Sequence, residues 1–293
     1  ALVTIIIYLN ASVAEAQSYK IAGPDPSINK AISLFSNLVS KDIKKVKIKN
    51  LTGIGKANEL IHLVNSEKID IAVVPFNAVR SLSNSPLLDP FLSSDAAGIR
   101  RAIDSEVGAF EKYLLERDNV RVLDFWHVSS SILASKKSIK SVQDLKEMKV
   151  ATYTAQYPNL LSKLGANPVW VGFSDVYMNL QQGNLDTAPV PYNDISPKWD
   201  FNEVTNNYVD RHYLPVLYAV VVKKETWEKQ NFLKQRSLSR AARKAGVQLS
   251  LSVDNAAKTF KAKQIARGAV FVSWGDDALH PISTATPNPT PRL

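Results

Sequence analysis

The chain has 293 residues, 45% of them hydrophobic, and carries 36 Lys and Arg against 27 Asp and Glu, a net charge of +9. That length suits one or two globular domains. With no cysteine, disulfides, thiolate metal sites and cysteine nucleophiles are excluded, and the four histidines (His62, His127, His212 and His280) show no metal-binding spacing. No glycine-rich nucleotide loop, P-loop or serine-hydrolase motif occurs, and no nucleic-acid motif accompanies the basic balance.

Residues 1–16, ALVTIIIYLNASVAEA, hold an apolar core from Leu2 to Leu9 and then Ala14-Glu15-Ala16. This is the pattern of a secretory signal cleaved after Ala16, expected to begin upstream of Ala1. It is shorter than the ~20 residues of a membrane span, so the expectation is an exported, soluble chain.

SYKIAGPD reads as a short strand ending in a Gly-Pro turn. Ala31, Phe35, Leu38 and Val39 recur at helical spacing and predict a helix lying on a sheet. KKVKIKNL alternates as a strand, and its lysines suit an exposed edge better than an anion site. GKANELIHLVNSEK predicts a helix and IDIAVVP a buried parallel strand. Ile99, Ala102, Ile103, Phe110 and Leu114 mark a longer helix. NVRVLDFW and SSSILASKK read as two strands. Ser141 and Asp144 form a capping box before the strand MKVATY.

YPNLLSKLG predicts a helix with Pro158 near its start and Gly165 past its end. PVWV is a strand. FSDVYMNLQQG is a helix with Ser174 as its expected N-cap and Gly183 as its stop. HYLPVLYAVVVKKETW reads as a long strand suited to crossing between lobes, and Gln230 to Lys263 is rich in helix formers. Residues 281–293, rich in Pro and Thr, predict a disordered tail.

Two stretches match each other. KIDIAVVP (68–75) and NLDTAPVP (184–191) share apolar-Asp-x-Ala-x-Val-Pro, and each follows a helix. The pattern predicts two α/β lobes of similar construction, with Asp70 and Asp186 capping or turning the chain. Open α/β sheets bind ligands beyond the carboxyl ends of their strands. The positions to watch are therefore Pro75 to Ala78, His127 to Ser131, Ala151 to Thr154, Val190 to Asn193 and His212 to Pro215.

SIKSVQDLKEMKVATY and LGANPVWVGFSDVYMNLQQGNLD, supported by TGIGKANELIHLVNSEKIDIA, LLDPFLSSDAAGIRRAID and NVRVLDFW, give the chain its likeness to a known family. Over about residues 19–275 it resembles the periplasmic solute-binding proteins of tripartite ATP-independent periplasmic (TRAP) transporters, dicarboxylate-binding branch. The resemblance implies a two-lobed, type II-like periplasmic binding fold, its lobes joined by crossing strands and a long helix around a ligand cleft. The implied boundaries are 17–128 plus about 217–250 for lobe I and 129–216 plus about 251–280 for lobe II. It implies a monomer with no cofactor, metal or catalysis, and partners in a small organic solute and the small and large permease subunits. A sensory or orphan binding protein is the alternative, and an enzyme of the same fold a third reading.

The family usually grips a ligand carboxylate with an arginine, since a guanidinium makes two parallel bonds to it. By the resemblance that position is Ala151 here, a second arginine position is Ser131, and an asparagine position is Val190; Phe173 is retained. All three polar grips are small or apolar, so a typical dicarboxylate is not expected. The candidate walls are aromatic faces and amides: Phe76, Asn77, Trp126, Tyr153, Phe173, Tyr192, Asn193 and Tyr213. Lys136, Lys137, Arg211 and His212 are the candidate replacement bases.

Overall fold

A computed structural model describes residues 18–43, 46–54, 56–76, 85, 87, 89–153, 157–192 and 200–275. The expected signal, the Pro/Thr tail, Asn77 and Asn193 lie outside the described residues.

One mixed sheet runs through the molecule. Its strands are β1 (Ser18–Gly23), β2 (Lys47–Thr52), β3 (Ile71–Pro75), β4 (Val120–Ser135), β5 (Lys149–Thr152), β6 (Asn167–Trp170), β7 (Thr187–Pro191), β8 (Asn207–Lys223) and β9 (Val270–Val272). Their order is β2-β1-β3-β8-β4-β7-β5-β6, with β9 paired to β8. The lysine-rich β2 is an edge strand, where its side chains meet water. The helices are α1 (Asn29–Asp42), α2 (Ala57–Asn65), α3 (Ala96–Asp118), α4 (Pro158–Lys163), α5 (Val176–Gln182), α6 (Lys224–Glu228) and α7 (Phe232–Ile265).

The apolar run of β3 has a direct cause. Ala72 and Val74 enter a core with Leu60, Ile103 and Phe110, while Ile71 and Val73 enter another with Ile32, Phe35 and Ala242. Both faces of the strand are covered, so no position is free to be polar. β3 is parallel to β1 but antiparallel to β8, so the expected parallel strand is mixed. The second lobe repeats the layering. Ile132, Ala188 and Val190 face a core with Val176 and Leu180, and Leu133, Val150 and Tyr213 face another with Phe91 and Trp274.

The internal repeat is structural. The backbone amide of Lys20 donates to the Asp70 carboxylate at 2.7 Å, and the Asp70 amide returns a bond to the Lys20 carbonyl at 2.9 Å. Lys149 and Asp186 repeat the pair at 2.8 and 2.9 Å. Each aspartate fastens the start of one strand to its parallel neighbour, β1 to β3 and β5 to β7.

Three expectations are corrected. NVRVLDFW and SSSILASKK are one 16-residue strand, because β8 pairs along nearly all of it. Ser174 lies inside a 3-10 turn (Phe173–Asp175) and makes no cap for α5. The capping box holds: the amides of Lys140 and Ser141 donate to the Asp144 carboxylate at 2.7 and 3.0 Å. Lys224 to Trp227, expected as the end of the long strand, instead form the short helix α6 after β8 stops at Lys223, and the strand β9 was not anticipated.

Candidate functional site: the seam between the lobes

Among the described residues, β4, β8 and α7 run through both halves. α7 places Leu238, Ala241 and Ala242 in the first lobe's core and Val253 in the second's, with Phe260 packed against the latter. At ~1.5 Å per residue its 34 residues span about 50 Å. The β4–β8 register shifts once near its start, between Val122 and Asp124, and then again at Ser129, Ser131 and Leu133. Between Val209 and Val216 the β8 strand carries more residues than its partner, a bulged crossing. Leu214, with φ +53°, lies in the left-handed region within that bulge.

The bulge is held from outside. The Leu214 amide donates to the Pro90 carbonyl at 2.7 Å and Arg211 Nε to the Phe91 carbonyl at 2.9 Å. The Asp89 carboxylate accepts the Phe91 amide at 2.7 Å, and the Phe91 ring packs 4.7 Å from Tyr213 and 4.9 Å from Trp274. The Asp-Pro-Phe stretch is thus a brace on the crossing strand. Arg211, a candidate base, is bonded to that brace.

Beside the brace sits a polar cluster. His212 Nε2 lies 2.9 Å from Asp254 of α7, and the same carboxylate oxygen accepts the amide of Ala96, the first residue of α3, at 2.8 Å. The His212 ring is 5.6 Å from His127 and 5.3 Å from Tyr192, edge-on to both. His127 Nε2 is 2.7 Å from Ser130 Oγ. Burial, and secondarily His212, push the His127 imidazole down to about 3, so it is neutral at physiological pH. Asp254 went unnoticed in the sequence, where it is one acid in a long helix and belongs to no motif. His127 was singled out only as a strand-end position.

The strand exits of the second lobe carry the other candidates. Ala151 is 1% exposed and Val190 3%, and both belong to one apolar cluster with Ile132, Val176 and Leu180. Ser131 is half-buried and pairs with Pro191 and Tyr213. Tyr153, half-buried, packs against the cluster and donates its hydroxyl to the Pro189 carbonyl at 2.7 Å; Phe173 stands edge-on to it at 6.0 Å. Burial pushes the Tyr153 and Tyr192 hydroxyls well above the usual phenol range, helped at Tyr192 by Asp210 and Asp254. They are neutral hydrogen-bonding groups, unsuited to act as bases.

Other candidates lie elsewhere. The Phe76 ring is 4.8 Å from Phe110 and 5.6 Å from Phe125, inside the first lobe's core. Trp126 is fully buried, and its indole donates to the Ala242 carbonyl at 2.9 Å. Tyr213 is 1% exposed beneath Phe91. These three rings are packed within hydrophobic cores. Lys136 and Lys137 are exposed at the far ends of the strands, where the Lys136 amide bonds to the Asp186 carbonyl, away from the exits at Thr152 and Pro191. The structure therefore gathers Tyr153 and Phe173 at one exit and Tyr192 and His212 at the seam. Ala151 and Val190 lie in the packed layer beneath.

No group of His, Cys, Asp and Glu among the described residues is arranged to hold a metal ion. No described helix is long and apolar enough to cross a membrane.

The family described as DctP, bacterial extracellular solute-binding protein family 7, matches residues 20–288. The chain is 26% identical over 194 residues to the sialic acid-binding periplasmic protein SiaP of Vibrio cholerae, a match covering 66% of this chain and 58% of SiaP. It is 29% identical over 224 residues to the 2,3-diketo-L-gulonate-binding periplasmic protein YiaO of Escherichia coli, covering 74% of this chain and 68% of YiaO. Among solved structures, a TRAP periplasmic solute-binding protein of Rhodobacter sphaeroides in an apo open form shares the fold. Its TM-score is 0.80 at 18% identity, over 92% of this chain and 90% of that one.

Proposed function

The chain belongs to the bacterial extracellular solute-binding proteins of family 7, and from that premise we propose that it captures one small organic solute between its lobes and passes it to a TRAP-type permease. The proposal includes a periplasmic location after removal of the signal, a monomeric state, and binding without turnover. It also takes the lobe boundary to be the irregular stretch of β4 and β8, near residues 129 and 216.

The observation that carries the solute reading is the burial of Ala151 and Val190 in one apolar cluster. The two relatives named above are a sialic acid-binding and a 2,3-diketo-L-gulonate-binding protein, both for acidic solutes. A buried carboxylate without a cationic partner costs several kcal/mol. Among the described residues, the candidate groups gathered at the exits and the seam are two neutral phenols, Tyr153 and Tyr192, the Phe173 ring and the His212 imidazole. They favour a solute less acidic than the relatives' ligands, held by hydroxyl hydrogen bonds and ring faces. The alternative, a sensory protein uncoupled from transport, rests on the same loss of polar grips and would leave permease subunits without effect on solute flux.

The test is mass spectrometry of whatever leaves the protein on denaturation, followed by calorimetry with the identified compound. A stoichiometric neutral or weakly charged solute that binds without being converted is the expected result. A bound dicarboxylate, or turnover of the solute, would overturn the proposal.

A further inference from the structure

The long helix α7 carries a surface that the solute reading does not use. Its first two residues, Phe232 and Leu233, are each 71% exposed. Arg236, Arg240 and Lys244 follow Phe232 at four-residue spacing, so they share its face. Together with Ser239 and Arg243 they line one shallow depression. Leu251, 53% exposed, continues the face toward the second lobe.

The charges there are unequally engaged. Arg243 is clamped by Asp104 at 2.7 and 2.8 Å, and Arg240 lies 3.4 Å from Asp42. Arg236 and Lys244 are exposed and have no ion-pair partner among the described residues. The acids of the neighbouring α6 are occupied elsewhere: Glu225 accepts from Asn119 at 2.9 Å, and Glu228 sits 3.9 Å from Lys224. The face is therefore positive with projecting apolar residues at its tip.

Single exposed hydrophobics are ordinary on a soluble protein. An adjacent Phe-Leu pair on a projecting helix end, backed by unneutralised bases, has the composition of an interfacial contact. A projecting pair needs a surface that deforms around it, and the bases need negative charge beside it. We propose that this face of α7 docks on a bilayer containing anionic phospholipids, which would hold the protein in the plane of a membrane-embedded partner.

Vesicle flotation tests it, using phosphatidylcholine mixed with phosphatidylglycerol against phosphatidylcholine alone. The protein is expected to bind only the anionic vesicles, and raised salt to release it. Arg236→Glu with Lys244→Glu, and separately Phe232→Ser with Leu233→Ser, should each weaken binding by on the order of tenfold. Thermal melting and solute affinity should stay unchanged, so the test stands apart from the solute proposal. Arg101→Glu with Lys112→Glu on α3 matches the charge change at exposed sites on another helix. If that control weakens binding equally, or if both vesicle types bind alike, the proposal fails. Binding seen only when permease subunits are reconstituted in neutral vesicles would also overturn it, in favour of an acidic protein surface.

Discussion

The hydroxyl of Tyr153 donates to the carbonyl of Pro189 at 2.7 Å, so a side chain ties the exit of β5 to β7 where strand pairing has ended. Its ring meanwhile stands edge-on to Phe173. The two roles separate by substitution. Tyr153→Phe removes only the hydrogen bond and should cost about 1 kcal/mol in denaturant unfolding. Tyr153→Ala also removes the ring. If the ring borders the solute, calorimetry should show a much larger loss of affinity for Ala than for Phe. Equal affinities would take Tyr153 out of the site.

Ala151 makes the sharpest test of specificity. Its methyl is packed with Val176 and Leu180, so Ala151→Arg must bury a guanidinium or push it toward the strand exit. Without an anion, the variant should melt below the parent, since an unpaired buried charge costs several kcal/mol. Adding a sugar acid should raise the variant's melting temperature and leave the parent's unmoved. If acids stabilise neither protein while the fold persists, this one position does not explain the specificity.

Gly246 shows a helix position set by a neighbouring strand. A Cβ there would lie 2.5 Å from Asp124 Oδ2 and 3.0 Å from Trp126 Cδ1. Neither atom can yield easily. Arg100 holds both Asp124 oxygens at 2.7 and 2.9 Å, and Trp126 is bonded to Ala242. Helix propensity alone makes Gly→Ala favourable by roughly 1 kcal/mol. Here the sign should reverse, with Gly246→Ala lowering the urea midpoint.

Much of the architecture was legible because it follows from local chemistry. The Asp70 and Asp186 repeat announced two similar units, and both residues do the same backbone work. The capping acid Asp144 and the stops at Gly165 and Gly183, with φ +78° and +79°, also needed only sequence neighbours. What was not legible depends on depth and distant partners. Phe76 and Trp126 sit at suggestive strand positions, yet their rings point into cores formed by residues far away in sequence. The continuity of β4 depends on β8, nearly a hundred residues on. Asp254 gains its role only because His212 and the start of α3 arrive beside it.

The buried His127 predicts how stability follows pH. Burial holds its folded-state value down to about 3, while an unfolded histidine titrates near ~6.5. The unfolded chain therefore takes up a proton that the folded protein refuses. Stability is full above ~6.5 and falls as pH drops toward the folded value, at a limiting slope of about 1.4 kcal/mol per pH unit. The groups facing the ring are His212 from β8 and Ser130 from its own strand, with Asp254 and Tyr192 reaching it through His212. Asp104, held down to about 2 by Arg243 and Arg100, loses its contribution only at lower pH, below the ordinary carboxylate range. Urea unfolding between about pH 7 and pH 4.5 isolates the histidine window. His127→Gln keeps a hydrogen-bonding group near Ser130 and removes the titration, so its stability should fall less steeply with acid than the parent's. Parallel slopes in the two proteins would mean that the acid sensitivity comes from other groups.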